Sequence, residues 1–560
     1  MKKINLLIIL LLVTPLLSKD VKRKIKIKDR YLNFPVSASQ ERETMTMEVG
    51  GEKLREFFIR LSDGDPDYWV FYDMSNIDSK NLTLKFPEKR SGFKKIYQSE
   101  KFAGEDSLYK ETRRPQFHFT SRRGWNNDPN GLVYHNGEYH LYYQHNPYEI
   151  LWANMHWGHA VSKDLVHWEE LGIKLYPDDF GDMWSGCAVV DHNNTSGFQT
   201  GEDPPLVAIY SAWKKLDDYD SHQTQHLAYS NDNGRTLTKY DGNPVLDSKA
   251  QWGKETRDPA IFWHEPIKKW VMSLYERNGN SIYHSDDLKD WKYISHLEGF
   301  YECPELFELP IDGDVNNTKW VTYGASGTYV LGDFDGYKFK PDTRKLKYTD
   351  GALWAAQTYD NTPAGRRIQF AWGMHIDHGG KMPFGQLILL PTELTLRSTP
   401  NGTRMYSAPI EELDKLHKKT HSWSNIEINK RSKDPKTTEA DINKELKRVE
   451  GDLFRIKAKV ELISGNHFQI IFNGNIIADH GLDKNEINGA FYENYDSESR
   501  TVDLDIFVDR TSVEVFVDGG AFSTAHPLEE GKNSNGLEIK GRHVYNIKSL
   551  EVIELNSIWQ

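Results

Sequence analysis

At 560 residues the chain exceeds one ordinary core, and its length predicts several modules. A formal net charge of -12, with no basic stripe carrying interleaved aromatics, excludes a nucleic-acid binder and favours neutral partners. Its 16 Trp, 28 Tyr and 25 Phe suit β-rich cores and stacking on sugar rings, whereas two cysteines, Cys187 and Cys303, exclude a disulfide framework and allow at most one bridge.

Lys2 and Lys3, the apolar run Leu6 to Val13, and then Pro15 and Ser18 predict a secretory signal peptide over 1–18. The run is too short for a membrane span, so the expected location is secreted or periplasmic. Residues 19–112 are charged and punctuated, but Leu82-Thr83-Leu84-Lys85-Phe86 alternates as a strand does, which predicts a small N-terminal β-domain.

From Arg113 to about Ser407 a loose unit repeats. Short aromatic strands are expected at Tyr139 to Tyr143, Leu206 to Trp213, Trp270 to Tyr275, Trp320 to Tyr323 and Ile368 to Trp372. A Ser-x-Asp turn recurs at Ser162, at Ser285 and, in degenerate form, at Ser230. Together they predict an all-β fold with a five-bladed β-propeller over 113–410; a β-sandwich with fortuitous aromatics is the alternative and would lack a central funnel. Leu413 and Leu416 share a helical face and predict a linker helix, set at 411–425. Phe454, Ile456, Ala458, Val460 and Leu462 alternate with polar residues, and Val513 to Val517 repeat the pattern, so 426–560 is expected to be a β-sandwich.

Three acidic segments stand out: Asn127-Asp128-Pro129-Asn130-Gly131, Arg257-Asp258-Pro259 and Glu302-Cys303-Pro304. Cleaving a glycosidic bond with retention needs an ionised carboxylate to attack and a carboxylic acid to protonate the leaving oxygen, about 5 to 5.5 Å apart. Amides around Asp128 favour its ionised form; Phe300, Tyr301 and Leu306 around Glu302 favour desolvation and the protonated form. Each segment also has a plainer reading. The first is a good turn sequence, Arg257-Asp258 reads as a surface ion pair, and Glu302 competes with Glu305, which a strand would turn to the opposite face. No metal or cofactor is expected, since His156 and His159 lack acidic or Cys partners at ligand spacing.

Taken together with Gln144-His145-Asn146-Pro147, Trp157-Gly158-His159-Ala160 and Trp184-Ser185-Gly186, these motifs resemble glycoside hydrolase family 32, the invertase, inulinase and levanase family, over residues 115 to 555. Asp509-Arg510-Thr511-Ser512-Val513-Glu514 resembles its C-terminal sandwich. The resemblance implies a β-fructosidase with Asp128 as nucleophile, Glu302 as general acid/base and Asp258 as transition-state stabiliser. It implies a pocket lined by Asn127, Gln144, Trp152, Trp184, Ser185, Arg257 and Trp372, with a fructan or fructo-oligosaccharide as substrate. Asn126 and Cys187 depart from the family pattern, and exo action is expected over endo. An arabinan- or xylan-active propeller and a non-catalytic fructan binder are the other readings.

Overall fold

The computed structural model describes residues 20–217, 220–248, 255–379, 382–492, 500–533 and 535–559. The expected signal peptide lies outside them, and among the described residues no helix is long and apolar enough to cross a membrane. Two compact units divide the chain after Glu105, compared with the expected boundary at 112.

In the first unit, Val21–Lys26, Asn81–Phe86, Glu43–Val49 and Glu52–Ile59 form one antiparallel sheet. Tyr68–Asp73, Tyr31–Val36 and Tyr97–Ser99 form another. Leu82, Leu84 and Phe86 are buried while Thr83 and Lys85 stay partly exposed, as period-two patterning requires.

The second unit opens with a β-propeller. Successive antiparallel sheets run from Gly124–His135 to Glu169–Leu175, from Asp182–Val190 to Thr238–Lys239, and from Thr256–His264 to Lys292–Glu298. A larger sheet takes the chain from Glu305 to Pro409, and Phe384–Gly385 returns to pair in parallel with Gly124 and Trp125, which closes the ring. The five aromatic segments fall in Glu138–Asn146, Leu206–Lys215, Lys269–Glu276, Asp314–Tyr323 and Ile368–Gly373. Each segment lies in a central strand and is almost wholly buried on both faces, so it reads as an apolar run and not as a clean alternation. The Ser-x-Asp segments are turns closed by the carboxylate: Asp164 Oδ1 accepts from the backbone of Val166 and His167, and Asp287 Oδ1 from Lys289 and Asp290.

Beyond the propeller a seven-stranded and a five-stranded sheet form the sandwich, with Phe454, Ile456, Ala458, Val460 and Leu462 in its core. Val513, Val515 and Val517 join that core, but the half-buried reading of this strand is corrected, because Glu514 and Phe516 on its other face are buried as well. Phe516 packs with Phe117, Phe119 and Leu390 of the propeller. Thr349–Gly351, from the propeller side, adds in parallel to the sandwich strand Phe522–Pro527. The linker helix is also shorter than 411–425: a 3-10 helix over Glu411–Leu416 gives way to the strand His417–Asn429. Here Thr420, Trp423 and Ile426, residues that suit strands, pair with Val544–Leu555, and sheet pairing overrides a two-leucine helical signal.

His118 sits in the shared core with no exposed side-chain surface, its Nδ1 2.8 Å from Asp509 and its Nε2 2.7 Å from Glu514. Burial pulls its pKa down, but hydrogen bonds to the two carboxylates more than offset that and leave it at about 9. The acidic residues of the C-terminal motif thus hold a charged histidine of the propeller.

Candidate active site

Four strands around the propeller's centre carry breaks in register, three of them at residues singled out from sequence. The breaks fall between Asn126 and Pro129, Met183 and Gly186, Arg257 and Ala260, and Trp354 and Gln357. A bulge inserts an unpaired residue and re-aims its side chain. Around the same pocket Asp258, Glu302, Cys303 and Ala355 all have left-handed backbone, with φ of 59°, 49°, 42° and 50°. L-residues rarely adopt this geometry, which persists where surrounding structure fixes it.

Asp128, Ser185 and Asp258 line one pocket with Cys303 and Gln357. Ser185 Oγ donates to Asp128 Oδ2 at 2.6 Å, and Asn127 Nδ2 donates to Asp128 Oδ1 at 2.9 Å. Arg257 Nη2 donates to Glu302 Oε1 at 2.8 Å, and its Nε lies 3.8 Å from Asp258 Oδ2, so one guanidinium links the other two carboxylates. The Cys303 Sγ is 3.9 Å from Asp128 Oδ2 and 3.7 Å from Asp258 Oδ2, a sulfur wedged between two acids. Both cysteines are free.

Burial pushes Asp128 up to about 6, against the hydrogen bonds from Ser185 and Asn127. The expectation that neighbouring amides would keep it low is therefore corrected. Of the three asparagines only Asn127 reaches the carboxylate; Asn126 accepts from Ser121 N, and Asn130 from Gly186 N. Asp258 is pushed up to about 7, by burial first, with Arg257 pulling down and the charges of Glu302 and Asp128 pushing up. Glu302 lacks the apolar enclosure expected of it, since its side chain is 24% exposed and bound to Arg257. Glu305 is a separate group, buried and accepting from Thr358 Oγ1 at 2.6 Å.

The remaining expected residues stand farther out. Gln144 donates to Met183 O at 3.0 Å, next to Trp184. Trp184 stacks on Trp213 at 5.3 Å and meets the edge of Trp152, which is 46% exposed. Trp372 meets Trp125 edge to face at 6.0 Å, and Trp125 Nε1 donates to Asn127 Oδ1 at 2.7 Å.

Some supporting groups gave no sequence signal. Ser211 Oγ accepts from Asp258 N at 2.9 Å and donates to Gln225, fixing the strained residue from the neighbouring sheet. Gln357 accepts from Leu132 N and donates to Gly186 O, tying together inner strands that share no ladder. Tyr275 and Tyr301 flank the Arg257 guanidinium, at 4.7 and 5.7 Å from their ring centroids. The two departures from the family pattern now have local partners: Asn126 braces the turn before Asp128, and Cys187 Sγ accepts from Ile261 N of the next sheet at 3.1 Å.

The Glycosyl hydrolases family 32 N-terminal domain matches residues 118–409, and the Glycosyl hydrolases family 32 C-terminal domain matches 412–554. The chain is 39% identical over 497 residues to a levanase of Bacillus subtilis, covering 82% of this chain and 72% of that protein. It is 34% identical over 495 residues to an extracellular exo-inulinase of Aspergillus niger, covering 74% of this chain and 89% of that protein. The solved structure of a fructofuranosidase from Schwanniomyces occidentalis complexed with fructose superimposes with a TM-score of 0.68 at 28% identity, over 80% of this chain and 99% of that one.

Proposed function

The chain belongs to glycosyl hydrolase family 32, and from that premise we propose that it is a secreted, retaining β-fructofuranosidase acting on levan, inulin, fructo-oligosaccharides or sucrose from the chain end. The observation that carries the roles is the gathering of Asp128 and Asp258, from two sheets, and Glu302, from the loop before Glu305–Ile311, by bulges, left-handed residues and one bridging guanidinium. Asp128 attacks the anomeric carbon of the fructosyl unit while Glu302 gives a proton to the leaving oxygen, forming an ester on Asp128. Water then hydrolyses the ester, with Glu302 taking its proton back. Asp258, anchored through Ser211, grips ring hydroxyls as positive charge develops on the sugar.

Five aromatic second strands support a count of five blades over 113–410, with the sandwich over 426–560. The leader-like run at 1–18 and the extracellular relative support secretion. Incubating the protein with sucrose, inulin and levan tests the reading. Fructose alone from the earliest time points is expected; a ladder of oligosaccharides would make the enzyme endo-acting, and no release from any of the three would refute the function.

A further inference from the structure

The innermost strands do not end at the carboxylate pocket. Ser185, Asp258, Cys303 and Gln357 line that pocket, and farther along the same chain segments Val190, Trp263, Glu308 and Asp360 line a second cavity. The two share Ala260 and Glu305 in their walls, so the second cavity adjoins the first along the same strands. Its volume is about 330 Å³, within the range of small-molecule sites.

The wall of this cavity is of two kinds. Trp263, Trp320 and Phe262 contribute aromatic rings, while His192, Asn361 and Arg367 contribute hydrogen-bonding groups. Arg367 carries five N–H donors; among the described residues its side chain makes two long hydrogen bonds from Nη1, to Thr358 Oγ1 at 3.3 Å and Tyr359 O at 3.5 Å, and its guanidinium lies 4.9 Å from the Phe307 ring centroid. Donor capacity is left over beside the aromatic wall.

Charge decides the class of ligand. Burial pushes Glu305 up to about 7 and raises Asp360, and Glu308 shares the lining with the one guanidinium, Arg367, so the cavity carries no excess of positive charge to hold an anion. Among the described residues no group of three His, Cys, Asp or Glu could hold a metal ion, which disfavours a divalent cation. Rings bordered by mixed donors and acceptors fit the C–H faces and hydroxyls of a sugar. We propose that this axial cavity is a second sugar site, taking one neutral monosaccharide apart from the pocket that holds the three carboxylates.

Equilibrium dialysis against labelled fructose, with wild type, Trp263→Ala and Trp320→Ala, tests the site, and near-ultraviolet circular dichroism checks that the variants are folded. Wild type is expected to take up one equivalent more than either variant, and a fructose-soaked wild-type crystal to show a sugar in the axial cavity. Uptake of labelled glucose in place of fructose supports the site and changes the sugar. Equal uptake of both fructose and glucose by all three proteins, or only water in the cavity of crystals soaked in either sugar, overturns the proposal; the crystals decide if a variant fails to fold.

Discussion

Ser185→Ala isolates the hydrogen bond that opposes burial at Asp128. Ser185 Oγ donates to Oδ2 at 2.6 Å, and with Asn127 it limits the rise of Asp128 to about 6. A hydrogen bond to a charged group contributes about 1.5 to 3 kcal/mol, and one pKa unit corresponds to about 1.4 kcal/mol. Removing the hydroxyl therefore moves Asp128 up by about one to two units. The sign is fixed: attack needs the carboxylate, so a higher pKa enlarges the inactive protonated fraction at low pH. With Asp128 at about 6 and Asp258 at about 7, the acid limb of kcat/KM for sucrose should lie between pH 6 and 7 in wild type and move upward in the variant as Asp128 rises past Asp258, with the largest loss on the acid side. A variant whose activity falls equally at every pH, with its acid limb unmoved, would refute the reasoning and leave Ser185 as a simple contact.

Asp128→Asn keeps the size of the side chain and removes the nucleophile; fructose release should fall by about three orders of magnitude or more while the melting temperature and inulin binding persist. With Glu302→Ala, azide is expected to restore turnover of a fructoside bearing a good leaving group and to give a fructosyl azide of retained configuration; chromatography showing no azide adduct would remove Glu302 from the acid/base role. His118→Ala leaves Asp509 and Glu514 buried without their shared cation and should cost about 3 to 5 kcal/mol in urea unfolding at pH 7. Because His118 is raised to about 9, its contribution is full below pH 6.5 and is lost as pH rises through 9, about 3 kcal/mol in all. Wild type should therefore weaken between pH 7 and 10 more than the variant does, and parallel losses would argue against a charged His118.

Local chemistry was legible in the sequence wherever one segment carried it. Asp128 with its Pro and Gly, the Ser-x-Asp turns and the alternation at Phe454 to Leu462 each declare their geometry without help from distant residues. What was hidden depends on neighbours far along the chain. Ser211 has no sequence mark of its role, because its partner Asp258 stands on another sheet. Asp128 looked low in pKa because its adjacent amides are visible in sequence, while the protein packed over it and the turning away of Asn126 and Asn130 are not. The strand His417–Asn429 was hidden for the same reason, since its partner Val544–Leu555 lies over a hundred residues on.

The parallel strand Thr349–Gly351 has a consequence for synthesis. A chain emerging N-terminus first presents this edge before Phe522–Pro527 exists to receive it, and presents His118 before Asp509 and Glu514 exist to hold its proton. Until the last strands leave the ribosome the propeller keeps an open edge and a half-covered apolar face around Phe117, Phe119 and Leu390. The sandwich is in that sense the final piece of the propeller's own core, and a message cut short near residue 410 would yield an aggregating fragment in place of a smaller enzyme.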